Sequence, residues 1–137
     1  MKKLLLFILL FSAYTSIGQT MTIINNTSCS FSYFVIGWNS SCVSDGTGFI
    51  SLPGMSTQVY SSPSKVPWGT TPVPSGIQYG ALQFVDCNGG GSGLVGNSPC
   101  TPYSSTFSGS SPSCGCPSYT ITYYLDPVTG DVTVTIS

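Results

Sequence analysis

Few side chains in this 137-residue chain can do acid–base, nucleophilic or metal chemistry. They are six cysteines (Cys29, Cys42, Cys87, Cys100, Cys114, Cys116), four aspartates (Asp45, Asp86, Asp126, Asp131) and three lysines; His, Arg and Glu are absent. Hydrolytic chemistry needs a nucleophile with a base, paired carboxylates, or a metal. No His or Glu supplies the base, Lys65 sits among prolines, and each Asp falls at a turn or strand end. Serines are abundant because they build the surface. The chain reads as a non-enzyme that carries no cofactor.

The cysteines carry the remaining chemistry. An even number in a small exported domain reads as a disulfide framework. Cys114-Gly115-Cys116 would also fit a metal or redox site, but structural zinc uses two cysteine knuckles, often with His, and only one tight pair is present. Several connectivities are open. The expected set is Cys29–Cys42 across the first hairpin region, with Cys100–Cys114 nested inside Cys87–Cys116. Joining Cys114 to Cys116 directly across one glycine would strain the bridge.

Lys2 and Lys3 precede an apolar run at residues 4–11, and Ser16-Ile17-Gly18 offers small residues for a signal peptidase. The run is far short of the roughly 20 residues a spanning helix needs. Residues 1–18 are therefore expected to be a cleaved secretory leader, and residues 19–137 a single domain of 119 residues. No later stretch is long enough to span a membrane, and no lipid-acceptor cysteine follows the cut. The leader resembles those of bacteria such as the Bacteroidota. That resemblance implies a bacterial product that is released, periplasmic or held at the cell surface.

Without the leader, one base, Lys65, stands against four aspartates, a formal charge of −3. A nucleic-acid binder needs a basic face for phosphates, and a polybasic membrane patch needs the same. Both are excluded. Solubility rests on Ser, Thr, Asn and Gln instead.

The rest of the chain must position whatever works here, and it reads as strands. Seven segments are rich in β-branched and aromatic residues: 20–25, 30–38, 48–52, 57–61, 76–87, 118–125 and 131–137. Pro53-Gly54 predicts a type II turn joining the third and fourth as a hairpin. Asp126-Pro127-Val128-Thr129-Gly130 predicts a turn with left-handed Gly130 between the last two. In residues 76–87, Ile77, Tyr79, Ala81 and Val85 share one face, Leu82 and Phe84 make the other apolar, and Gly80 permits a bulge. Residues 62–75, with four prolines around Trp68, read as an extended loop, and 88–117 as a long irregular region. The glycines at 89–93 lack the Lys and the helix of a phosphate loop. Asp126 and Asp131 read as turn residues, since a calcium loop needs a ladder of oxygen ligands. Asn25, Asn26 and Asn39 head N-x-S/T sequons and read as turn residues.

Seven short strands predict a single-domain, all-β, disulfide-stabilised antiparallel sandwich of immunoglobulin-like or related Greek-key type. The string T-I-I-N-N-T at 22–27, followed by G-F-I-S-L-P-G-M-S at 48–56, resembles the opening of thaumatin-like proteins. The resemblance covers the first third and implies a β-sandwich. That family's many cysteines and its Arg- and Glu-bearing acidic cleft have no counterpart here.

The expected function is non-catalytic: a structural or adhesive protein at or outside the cell surface, acting through protein contacts or self-association. Edge strands usually carry charges that prevent edge-to-edge pairing, and these strands have almost none. The alternative is a carbohydrate-binding module with Trp38, Tyr60, Trp68 and Tyr103 as flat platforms. A secreted inhibitor or toxin-like protein is a third reading.

Overall fold

The computed structural model describes residues 19–69, 72, 75–90, 93–98, 100 and 102–137. The leader expected at 1–18 and part of the glycine-rich run lie outside the described residues. Among the described residues ten strands form two sheets, where seven strands were expected: β1 (Met21–Asn25), β2 (Phe31–Trp38), β3 (Ser44–Gly46), β4 (Ile50–Leu52), β5 (Ser56–Tyr60), β6 (Gln78–Asp86), β7 (Gly93–Gly96), β8 (Thr106–Ser111), β9 (Cys116–Leu125) and β10 (Val132–Ile136). One sheet has the order β5-β1-β10-β9-β8. The other runs β3-β2-β6-β7, with β4 also paired to β2. The all-β, disulfide-tied architecture is as expected, and the pairing is antiparallel except where β1 runs parallel to β10. A parallel pair cannot be closed by a tight turn; here the pair joins the first and last strands, with the rest of the domain as the connection.

Alternation explains the two faces. Val132, Val134 and Ile136 are buried with Met21 and Ile23 of the neighbouring strand, each such side chain contributing roughly 1.5–3 kcal/mol. Outward, Thr57, Ile24, Thr135, Thr122 and Thr106 form one cross-strand row over all five strands, where β-branched residues suit the pleat. The last hairpin forms as read. Gly130 has φ 75°, its N–H donates to the Asp126 carbonyl at 2.9 Å, and Asp126 Oδ1 accepts from the Val128 and Thr129 amides.

Other expectations are corrected. Residues 48–61 are no hairpin: β4 pairs with β2 and β5 pairs with β1, so the chain crosses from one sheet to the other. Met55, at φ 54°, takes the left-handed position expected of Gly54. Gly54 is needed for another reason, since a Cβ there would overlap the Ser28 backbone. The crossover is stitched to the turn after β1 through Asn25, which is 1% exposed. Its Nδ2 donates to the carbonyls of Cys29 (2.7 Å) and Pro53 (3.0 Å), and its Oδ1 accepts from the Thr27 N–H and hydroxyl. The region 88–117 is less irregular than expected, because β7 and β8 lie within it. Phe107 of β8 fills the space over Gly93 of β7 and closes that side of the sandwich.

All three expected disulfides are wrong. The bridges are Cys29–Cys116, Cys42–Cys100 and Cys87–Cys114, with Cα separations of 5.9, 5.5 and 5.8 Å. Cys29 precedes β2 and Cys42 follows it, so a strand of eight residues, about 25 Å at ~3.3 Å per residue, holds them apart. Cys116 opens β9 with its side chain buried and reaches Cys29 at the same end of the sandwich. Cys114 sits two residues earlier in a 3-10 turn beside the end of β6, where Cys87 lies. Cys100 follows β7, at the other end, near Cys42.

Candidate functional site

Two bridges thus tie one end of the sandwich, and Cys42–Cys100 ties the other, where the surface is concave. Three hollows lie there, of about 420, 310 and 420 Å³. The first is lined by Trp38, Asn39, Ser40, Gln78, Gly80 and Ser98 among others. It shares Gln78 and Tyr79 with the second, which adds Gln19, Asp126 and Pro127. The second shares Asn97 and Leu125 with the third, where Tyr103, Ser105, Tyr123 and Tyr124 lie. Shared walls make one continuous furrow across the strand ends, and each hollow falls in the size range of ligand pockets.

The backbone builds this shape from a bulge. Ile36 pairs with Ala81 and Gly37 with Tyr79, so Gly80 is the extra residue of β6. This is the bulge read from the sequence. The Trp38 indole lies against Gly80, whose missing Cβ makes room for it. On β7, Gly96 packs onto Gly80 and Ala81, and the Asn97 N–H donates to the Gly80 carbonyl at 2.9 Å. That contact brings Asn97 and Ser98 to the rim. The opposite rim is shaped by Asn39, whose Oδ1 accepts from the Ser41 and Val43 amides, both at 3.0 Å. Cys42 follows at φ 59° and is bonded to Cys100.

The furrow is lined mostly by neutral side chains, with Asp126 as its carboxylate. Among the described residues, two buried side-chain polar atoms lack a hydrogen-bond partner: the Trp38 indole nitrogen and the Tyr123 hydroxyl. Trp38 lines the first hollow and Tyr123 the third. Both atoms are shut off from solvent, the indole nitrogen against Gly80, so neither faces the open hollow. Burial pushes the Tyr123 phenol up to about 12, and burial followed by the charges of Tyr60 and Asp131 raises Tyr79 as well. Both stay protonated at neutral pH, and the Tyr79 hydroxyl donates to the Tyr60 carbonyl at 3.5 Å. Asp131, just past the turn, is held below its ordinary value, first by the Thr20 amide at 2.7 Å and then by the Thr129 hydroxyl.

Of the four aromatics proposed as platforms, the fold brings Trp38 and Tyr103 into this furrow. Trp68 instead packs against the core over Gly37, its indole N–H donating to the Pro63 carbonyl at 2.8 Å. Tyr60 is tied to Tyr33 by a hydroxyl pair at 2.8 Å. Tyr79, Tyr123 and Tyr124 are furrow residues that pattern reading assigns to strands alone. The usable signal was positional: each stands at a strand terminus, where even an inward side chain reaches the end of the sandwich. Among the described residues no group of three or more metal-ligating side chains occurs, and no helix is long and apolar enough to cross a membrane. Compared with known proteins, the chain matches no family model, no curated protein and no solved structure.

Proposed function

We propose that this chain is an exported, non-catalytic protein that acts at or beyond the cell surface, and that its furrow binds a neutral glycan. The observation carrying this reading is the concavity itself, lined by Trp38, Tyr103 and Tyr124 together with the amides of Asn39, Gln78 and Asn97. Sugar rings present apolar C–H faces to aromatic walls, and their oxygens accept from indole, phenol and amide donors. A small number of placed polar groups in a largely apolar hollow is the usual form of such a site. The three disulfides suit an oxidising compartment.

The test is retention on a panel of immobilised neutral polysaccharides, comparing the wild type with Trp38→Ala and Trp68→Phe. Retention that is lost with Trp38→Ala and kept with Trp68→Phe supports the reading. No retention on any member overturns it.

A second reading, self-association or adhesion by strand pairing, is favoured by β5. This strand is a free edge of its sheet, holds no charged residue, and leaves Val59 58% and the adjoining Met55 74% exposed. Such an edge lacks the usual protection against pairing. Sedimentation across a concentration series tests it: oligomers abolished by Val59→Lys support it, and a monomer throughout rejects it.

A further inference from the structure

Backbone direction shows what the edge of β5 leaves unpaired. In β1 the Asn26 N–H donates to the Ile136 carbonyl and the Thr20 carbonyl accepts from the Val132 N–H, so even-numbered residues face β10. Successive residues of a strand point their N–H and C=O groups to opposite sides, so Met21, Ile23 and Asn25 face β5. Their partners there are Tyr60, Gln58 and Ser56. Thr57 and Val59 consequently direct their N–H and C=O groups away from the sheet. Among the described residues nothing bonds to them.

The other edges are engaged. Beside β3, the Gly69 N–H donates to the Gly46 carbonyl at 2.7 Å, and Thr47 bridges Trp68. The Ser51 carbonyl of β4 accepts from Gln58 Nε2 of β5 at 3.0 Å. β7 and β8 turn toward one another, with the Gly96 N–H donating to the Ser104 carbonyl ahead of β8 at 3.1 Å. Along β8 the Ser104 hydroxyl takes both backbone groups of Thr106, and a bulge between Gly109 and Ser111 breaks the edge further on.

Resting on the strand-pairing reading above, we infer that the partner is a second copy of this chain, joined β5 to β5 about a two-fold axis as a closed dimer. Pairing β5 of one copy with β8 of the next would build an open filament, and the β8 edge is blocked. Pairing β5 with β5 uses each free edge once and stops there.

The same groups set the register. With Gln58 on the axis, Thr57 lies opposite the partner's Val59, and each free N–H meets a free C=O. Both side chains point to the outer face, where Val59 is 58% exposed, so the contact sets one β-branched residue against another. No residue of β5 is charged, so two copies of this edge meet without like-charge repulsion. Gln58 itself faces inward, held by the Ser51 carbonyl and the Tyr33 hydroxyl, which fixes the strand before it pairs.

The experiment is sedimentation of the oxidised protein, carried to about 1 mM because a strand-pair interface is small. Mass should rise to twice that of the monomer and no further. Val59→Pro deletes an outward N–H and leaves the bonds to β1 in place, since proline is tolerated where an edge faces solvent. Val59→Pro and Val59→Lys should each weaken the dimer at least about tenfold, with thermal unfolding of the monomer little changed. Thr57→Lys combined with Val59→Glu should restore it, because opposite charges then face each other across the axis. Growth beyond the dimer would overturn the closed pairing while leaving strand addition at β5 intact. A dimer that this combination fails to restore would overturn the register. A monomer at every concentration, or a dimer indifferent to both Val59 substitutions, would remove this inference and the strand-pairing reading together.

Discussion

Asn25 should be the most damaging polar residue to remove. Its side chain makes four hydrogen bonds, which exhausts its capacity as a double donor and double acceptor. In Asn25→Ala, the Cys29 carbonyl and the Thr27 N–H lose their partner at the buried junction between β1, β2 and the crossover. Pro53 is exposed, so water can replace the amide at its carbonyl. Each buried group left unpaired costs about 1–3 kcal/mol, which for the two gives a loss of roughly 2–6 kcal/mol. For the 119 residues expected of the mature domain, at about 4 °C per kcal/mol, Tm should fall by roughly 8–24 °C. Urea unfolding of the oxidised protein, with Asn26→Ala beside it as an exposed control, measures the difference. Asn26→Ala should lie within about 0.5 kcal/mol of the wild type. If Asn25→Ala also lies within about 1 kcal/mol, the crossover is not held by this side chain.

Tyr123→Phe removes a hydroxyl that has no partner among the described residues, so stability should be unchanged or higher by up to about 1 kcal/mol. Urea denaturation checks this, and a clear loss of stability would mean the hydroxyl is satisfied inside the fold. Gly80→Ala places a methyl group against the Trp38 indole. It should cost about 1–3 kcal/mol and change Trp38 fluorescence; an unaltered spectrum would contradict the packing. Asp86 is held below its ordinary value, chiefly by the Ser111 hydroxyl at 2.7 Å and also by the Asn88 and Gly90 amides. Its folded value is depressed, so its contribution is complete above the ordinary carboxylate range and is lost as pH falls through the lowered value. Acid unfolding of Asp86→Asn should therefore show a shallower pH dependence, and an identical profile would count against this link.

Local features were legible where one short stretch contains its own physical cause. Strict alternation from Val132 to Ile136 names the buried face, the residues from Asp126 to Gly130 name their turn, and Gly80 within an apolar strand marks the bulge. Features that depend on strand ends meeting in space were not. Cys29 and Cys42 are near in sequence, yet β2 is a rigid spacer between them, and nothing local says that Cys116 lies beside Cys29. Pro53-Gly54 signals a turn correctly but not whether the following strand returns to the same sheet. The choice is made by Asn25, whose amide pins the turn to the far sheet. The same limit applies to the furrow. Trp38 and Tyr103 stand out by type, whereas Tyr79 and Tyr123 join them only because β6 begins and β9 ends at one end of the sandwich. Trp68 looked equivalent to Trp38, and only the space over Gly37 separates their roles.

The central claim is that the furrow at Trp38 is where this protein meets its ligand. The chain has two tryptophans, so a nitrogen-15 spectrum should show two indole N–H signals. One is bonded to the Pro63 carbonyl, and the other, from Trp38, has no partner among the described residues. On titration with fragments of the retained polysaccharide, the Trp38 signal, assigned with Trp38→Phe, should shift and saturate as the ring's surroundings change while that of Trp68 stays fixed. A bound fragment that leaves the Trp38 signal in place would contradict the account.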